Sequence, residues 1–188
     1  AAQGLMLVLV GIDIGASLGH LTPAPETSFY VVGATLALLL GAIGLVAATF
    51  HLGHPLRAWR AAAMWRTSWL SREVIVLPAF LFCVAAWALS HWWSNATFGW
   101  GIAAAALALL LYLCTGMIYA AVKAIREWAT PLTPWNYMLL GIASGLMLCT
   151  ALAAALATPY AADLALGALV ATLLGGISRG LTLWRNLT

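Results

Sequence analysis

The sequence predicts an all-α, polytopic transmembrane helix bundle, and three observations carry that expectation. Hydrophobic residues make up 64% of the 188 and charged ones 7%, against about 45–50% and 25% in an ordinary soluble domain. Mean hydropathy is +1.01. The apolar residues gather into six runs rich in Ala and Leu, without period-two alternation, which favours helices over a β-barrel. Eight basic and five acidic side chains could not cover such a core in water. A soluble enzyme, a nucleic-acid-binding domain and a disordered chain are therefore excluded as first readings.

The runs are approximately 4–18, 29–50, 73–92, 98–122, 134–157 and 159–178. About 20 helical residues cross a ~30 Å hydrocarbon core, since each adds 1.5 Å. The last five runs meet that length and the first is short. Thr133-Pro134 and Thr158-Pro159 each set a capping hydroxyl before a proline at a helix start. Gly141 and Gly145 form a GxxxG pair, and Gly41 and Gly44 add small faces suited to close helix contacts. Cys83, Cys114 and Cys149 are far apart in apolar runs with no CxxC. They read as buried free thiols, with no iron–sulfur ligation within the chain. The chain starts at Ala1 rather than Met, and residues 1–188 are read as one transmembrane domain, incomplete at its ends.

Charge orders the connections. All eight basic residues fall on one side of the six-span arrangement: Arg57, Arg60, Arg66, Arg72, Lys123, Arg126, Arg179 and Arg185. The positive-inside rule places that side in the cytoplasm, in a multi-pass protein of the cytoplasmic (inner) membrane. Nine of the ten tryptophans, all but Trp87, lie near span ends, as interfacial belts require.

The second connection is the most informative stretch. His51-Leu52-Gly53-His54-Pro55-Leu56-Arg57-Ala58 closes one helix, and Ser68-Trp69-Leu70-Ser71-Arg72-Glu73 opens the next. Gly53 and Pro55 forbid a simple helical extension. Ser71 is expected to cap the third helix, leaving Glu73 in its first turn, where the helix dipole favours a negative charge. Imidazole and carboxylate groups at membrane depth, beside arginines, suit a quinone headgroup. Its two carbonyl oxygens need hydrogen-bond partners, and its reduction needs protons. A plainer reading is that Glu73 complements the dipole or pairs with Arg72 while His51 sits at the interface.

This joint pattern, His-Leu-Gly-x-Pro-x-Arg-Ala followed by Ser-x-Leu-Ser-x-Glu, resembles the membrane anchor subunit of the dimethyl sulfoxide reductase type (DmsC-like), including its quinone-linked sulfite dehydrogenase branch. The stretch Thr130-Pro131-Leu132-Thr133-Pro134-Trp135-Asn136 resembles a Pro/Trp/Asn connection of that family. The resemblance implies six spans of an eight-span fold. It also implies an anchor for an iron–sulfur subunit and a molybdopterin catalytic subunit, exchanging electrons with ubiquinone or menaquinone. The molybdopterin and the iron–sulfur clusters would belong to those partners. It marks His51 and Glu73 as quinone-site residues, and His54, Arg57 and Ser71 complete the candidate cofactor-binding set. The chain would be the quinone-reactive subunit of a multisubunit oxidoreductase, not catalytic alone, with Arg57, Arg60 and Arg66 docking the iron–sulfur subunit.

Two other functions stay open from the residues. His20 and His91 could ligate haem b, in a cytochrome subunit. Asp13, inside the first span, and Glu73 could serve a small-solute transporter as intramembrane carboxylates, although no internal repeat is found. Asp13 could equally sit on a proton path or pair with a neighbouring helix.

Overall fold

The computed structural model describes residues 1–50, 55–93, 96–156 and 158–187. Six α-helices follow one another: α1 (Ala2–Ser17), α2 (Thr27–Phe50), α3 (Trp69–Trp93), α4 (Thr97–Ala120), α5 (Leu132–Ala155) and α6 (Ala161–Leu187). A 3₁₀ segment, Pro55–Met64, joins α2 to α3. No strand occurs among the described residues. Helices α2 to α6 are 24–27 residues long, enough to cross a hydrocarbon core.

The short helix is the central one. Helix α1 packs against α2, α4 and α5, while α3 pairs with α2 and α4, and α6 with α5. Leu5, Met6 and Leu9 are fully buried, and Val10 nearly so. A helix of 16 residues spans only ~24 Å, yet it meets protein rather than lipid over most of its length. Its approach to α5 explains the small residues. Gly4 of α1 fits against Gly141 and Gly145, and a Cβ on any of the three would collide with the backbone or ring opposite. Gly41 likewise faces Leu81 of α3, but a Cβ on Gly44 would meet nothing within 4 Å. Gly44 thus borders open space, not the helix contact expected of it.

The lipid-facing surface is apolar, with Leu39, Ile43, Phe82, Leu166, Leu169, Leu173 and Ile177 more than half exposed. Trp59, Trp65, Trp92, Trp93, Trp135 and Trp184 are exposed toward the helix ends, where aromatic belts form. Trp87 is buried inside the bundle. The three cysteines are buried free thiols.

Several boundaries differ from the sequence reading. Helix α5 begins at Leu132, whose N–H donates to the Thr130 hydroxyl at 3.3 Å. Pro134 lies in its first turn, where no N–H is required. Helix α6 begins at Ala161, and Thr158 instead donates to the Ala153 carbonyl at the end of α5. The far end of α6 runs on from Ser178 to Leu187. It does so because Ser178 and Thr182, one turn apart, both bond to buried Asn136 of α5, at 2.6 and 2.9 Å.

Candidate functional site

Antiparallel order brings the N-termini of α1, α3 and α5 and the C-termini of α2, α4 and α6 to one end. All eight basic residues gather there with Glu73 and Glu127. Asp13, Glu26 and Asp163 belong to the opposite end. The basic end is the candidate site.

The start of α3 is built by Ser68, not Ser71. Helix α3 begins at Trp69, and the Ser71 N–H donates to the Ser68 hydroxyl at 3.4 Å. Ser68 is the cap because its hydroxyl lies three residues ahead of that orphan amide. Glu73 therefore enters the second turn, and no acidic residue occupies the first. Arg72 is drawn away from Glu73. Its Nε donates to the Trp65 carbonyl at 2.9 Å and its Nη2 to the Arg66 carbonyl at 3.0 Å, and its guanidinium lies 4.2 Å from the Trp69 ring centroid. These contacts pin the corner between the 3₁₀ segment and α3.

Glu73 takes a neutral partner instead. The Thr115 hydroxyl on α4 donates to Glu73 Oε1 at 2.6 Å across α3 and α4. No salt bridge to Glu73 forms among the described residues. Beside this bond lies a slot of about 540 Å3. Its walls are mainly apolar, including Leu40, Gly44, Leu45, Ala48, Leu70 and Leu77, with Gln3, Thr49, Glu73 and Thr115 as polar points. Pro78 in α3 offers no N–H to the Val74 carbonyl one turn earlier, and Val74 also lines the slot.

Of the candidate set, Glu73 lines the slot. His51 and His54 lie outside the described residues. They follow Ala48 and Thr49, which line the slot, by two to six positions. Arg57 is exposed on the 3₁₀ segment and Ser71 is buried on α3, and neither lines the slot. Sequence reasoning missed Thr115. The available signal was a threonine in the apolar interior of α4, since such a hydroxyl needs a partner. It also missed a second cavity of about 610 Å3 beside Thr115, between α4, α5 and α6.

The opposite end holds a different arrangement. Asp13 Oδ2 of α1 lies 3.3 Å from His91 Nε2 of α3, both side chains largely buried. The His91 ring stacks on Tyr30 at 4.5 Å and meets Trp87 edge-on at 4.5 Å. Of the two expectations for Asp13, the structure realises pairing with a neighbouring helix. His20 is exposed in the α1–α2 connection, and no metal-binding group of three or more His, Cys, Asp or Glu occurs among the described residues.

Comparison with known proteins agrees with this architecture. A family model described as DMSO reductase anchor subunit (DmsC) matches residues 24–188. The sequence is 46% identical to the sulfite dehydrogenase C subunit of Allochromatium vinosum, over 99% of its own length and 61% of the relative. It is 29% identical to the anaerobic dimethyl sulfoxide reductase C chain of Haemophilus influenzae, over 68% of its own length and 46% of that protein. It thus spans about three fifths and under half of the lengths of these relatives. No solved structure matches it. Six apolar helices and this match together make the protein a multi-pass membrane protein of the DMSO reductase anchor subunit (DmsC) family.

Proposed function

We propose that this protein anchors an iron–sulfur subunit and a molybdopterin catalytic subunit to the inner membrane, and exchanges electrons with quinone at its basic end. The relative from Allochromatium vinosum, a sulfite dehydrogenase subunit, favours that branch of the family. The observation that carries the quinone reading is the slot beside Glu73: a mainly apolar cleft whose one carboxylate, Glu73, is hydrogen-bonded by Thr115, with Gln3 and Thr49 as its other polar side chains. The slot falls within the ~300–1,000 Å3 range of small-molecule sites. A molecule with a polar ring and an isoprenoid tail matches that division of polarity, so the residues fit the group.

A quinone, when bound, supplies two-electron, two-proton redox chemistry. In this reading Glu73 holds or releases a proton at its carboxylate, and His51 and His54 supply hydrogen bonds from the segment after Thr49. Leu40, Leu45, Leu70 and Leu77 exclude water around the tail. Arg57, Arg60 and Arg66, all exposed, form the surface that docks the iron–sulfur subunit, and the basic end faces the cytoplasm.

His51→Ala and Glu73→Gln should each lower quinone-linked turnover of the assembled complex while sparing turnover with a soluble artificial redox dye. Loss of a hydrogen bond to a charged group costs about 1.5–3 kcal/mol, which is roughly ten- to a hundredfold. Wild-type quinone kinetics in both variants would sink the assignment. Orientation is tested separately with single cysteines at Thr67 and Ser94. An impermeant thiol reagent applied to intact cells should label only Ser94→Cys.

A further inference from the structure

The second cavity at the basic end has no role in the quinone reading, and it is the more polar of the two. Tyr112, Tyr119, Asn136, Tyr137, Ser144 and Arg179 line it. Glu127, Trp128 and Thr133, from around the α4–α5 connection, carry the lining out to the basic end, where Glu127 and Trp128 are exposed. Tyr119 and Tyr137 stack with centroids 5.4 Å apart and form a firm aromatic wall. Asn136 is already engaged by Thr182 and Ser178. Tyr112 is 5% exposed, and its hydroxyl lies against the backbone of Gly4, with no side-chain partner among the described residues.

A buried hydroxyl has two lone pairs as well as its proton, so one backbone contact does not use all its capacity. A polar cavity against it is where ordered water belongs. At ~30 Å3 per molecule the chamber has room for roughly twenty waters.

Thr115 stands between chamber and slot. It lines both, together with Ala1 and Gln3. Its hydroxyl proton is committed to Glu73 Oε1. A hydroxyl also carries two lone pairs, and a chamber water can donate to one of them.

We infer that the chamber is a water-filled vestibule, and that the Thr115 hydroxyl passes protons between it and Glu73. This rests on the quinone reading above. A protonated chamber water gives its proton to Thr115 Oγ1 and becomes neutral water. The original Thr115 proton moves to Glu73 Oε1, and the carboxylate becomes a carboxyl. Glu73 then gives that proton up to a quinone oxygen and returns to a carboxylate. Two such passes meet the two-proton demand of quinone reduction, with the two electrons coming from the reduced iron–sulfur partner. Quinol oxidation runs each bond change in reverse.

Thr115→Val keeps the shape of the side chain and removes the hydroxyl. In the assembled complex, the carboxyl band of Glu73 is identified in infrared difference spectra by its loss in Glu73→Gln. Its hydrogen–deuterium exchange should slow about tenfold or more in Thr115→Val and recover in Thr115→Ser. Quinone-linked kcat should fall with it while KM holds. Wild-type exchange in Thr115→Val overturns the relay and leaves the quinone reading standing. A wild-type complex that binds no quinone analogue overturns both. Should Thr115→Val fail to assemble, Ser144→Cys decides the matter. A charged, water-borne thiol reagent should label that chamber position above the background of the buried native cysteines, and lack of labelling overturns the vestibule.

Discussion

Asp13 and Glu73 are both carboxylates on apolar helices, yet their surroundings differ at every step. Asp13 faces a histidine at 3.3 Å, and that histidine is clamped between Tyr30 and Trp87. Glu73 receives one neutral hydroxyl at 2.6 Å and lines a slot. Arg72, its sequence neighbour, is spent on the carbonyls of Trp65 and Arg66. A carboxylate closed in with a potential cation gains most by staying charged and tying two helices together. One held by a neutral donor beside a cavity can change protonation without breaking an ion pair. The contrast separates a structural carboxylate from one able to do proton chemistry.

The largest effect should come from breaking the closed end. Removing one partner of this largely buried Asp13–His91 contact leaves the other's polar group without its neighbour, at a cost of about 1–3 kcal/mol. His91→Ala should therefore lower the thermal stability of the detergent-solubilised complex substantially. Combining His91→Phe with Asp13→Asn removes the carboxylate and the imidazole together and keeps a ring against Tyr30, so most of that stability should return. Quinone-linked turnover per assembled complex should stay near wild type in both. A turnover loss larger than the stability loss would erase the distinction between the two ends.

Glu73→Gln should show the reverse pattern. Glutamine can still accept from Thr115 but cannot carry a proton, so melting should hold while quinone-linked turnover falls about ten- to a hundredfold. Equal losses in melting and turnover would make Glu73 a structural carboxylate like Asp13.

The two glycines of α2 sharpen the comparison within the basic end. Gly44→Leu places its side chain where a Cβ meets nothing within 4 Å, whereas a Cβ at Gly41 would lie 2.5 Å from Leu81 Cδ2. Gly41→Leu should cost about 1–3 kcal/mol of stability through overpacking. Gly44→Leu should cost little and instead fill the slot. It should raise KM for a long-tailed quinone more than for a short-tailed analogue. An equal shift for both would move the tail out of the slot.

The bundle was legible in the sequence because lipid imposes a simple rule: long apolar runs, interfacial tryptophans and basic connections on one side. The Gly141–Gly145 spacing also read correctly, since backbone contact leaves room for little else. The caps read less well. Ser68 and Ser71 both precede apolar turns, and only the corner pinned by Arg72 decides between them. The Glu73–Thr115 bond joins residues 42 positions apart, and no local pattern encodes that separation. The chamber is harder still, since four separate segments contribute to its wall. His51 and His54 carry the family resemblance but lie outside the described residues, so the sequence remains the main guide to them.

The smallest single effects should come from the arginines outside both cavities. Arg57, Arg60 and Arg66 are exposed, and two of them lie over neighbouring tryptophans, Arg60 over Trp59 at 5.6 Å and Arg66 over Trp65 at 5.3 Å. Exposed ion pairs contribute only about 0–1 kcal/mol each and weaken as salt screens them. One arginine-to-alanine change should hardly alter recovery of the iron–sulfur subunit with the anchor. All three together should weaken the complex by up to about 3 kcal/mol at low salt, and raised salt should narrow the difference by weakening the wild-type complex before it affects the anchor's own melting. Cation–π contacts to Trp59 and Trp65 survive salt better than ion pairs do, so a triple variant whose defect ignores ionic strength would point to lost packing of the 3₁₀ segment. A stoichiometric complex recovered at high salt from the triple variant would remove this surface from the docking interface and leave the Glu73 site untouched.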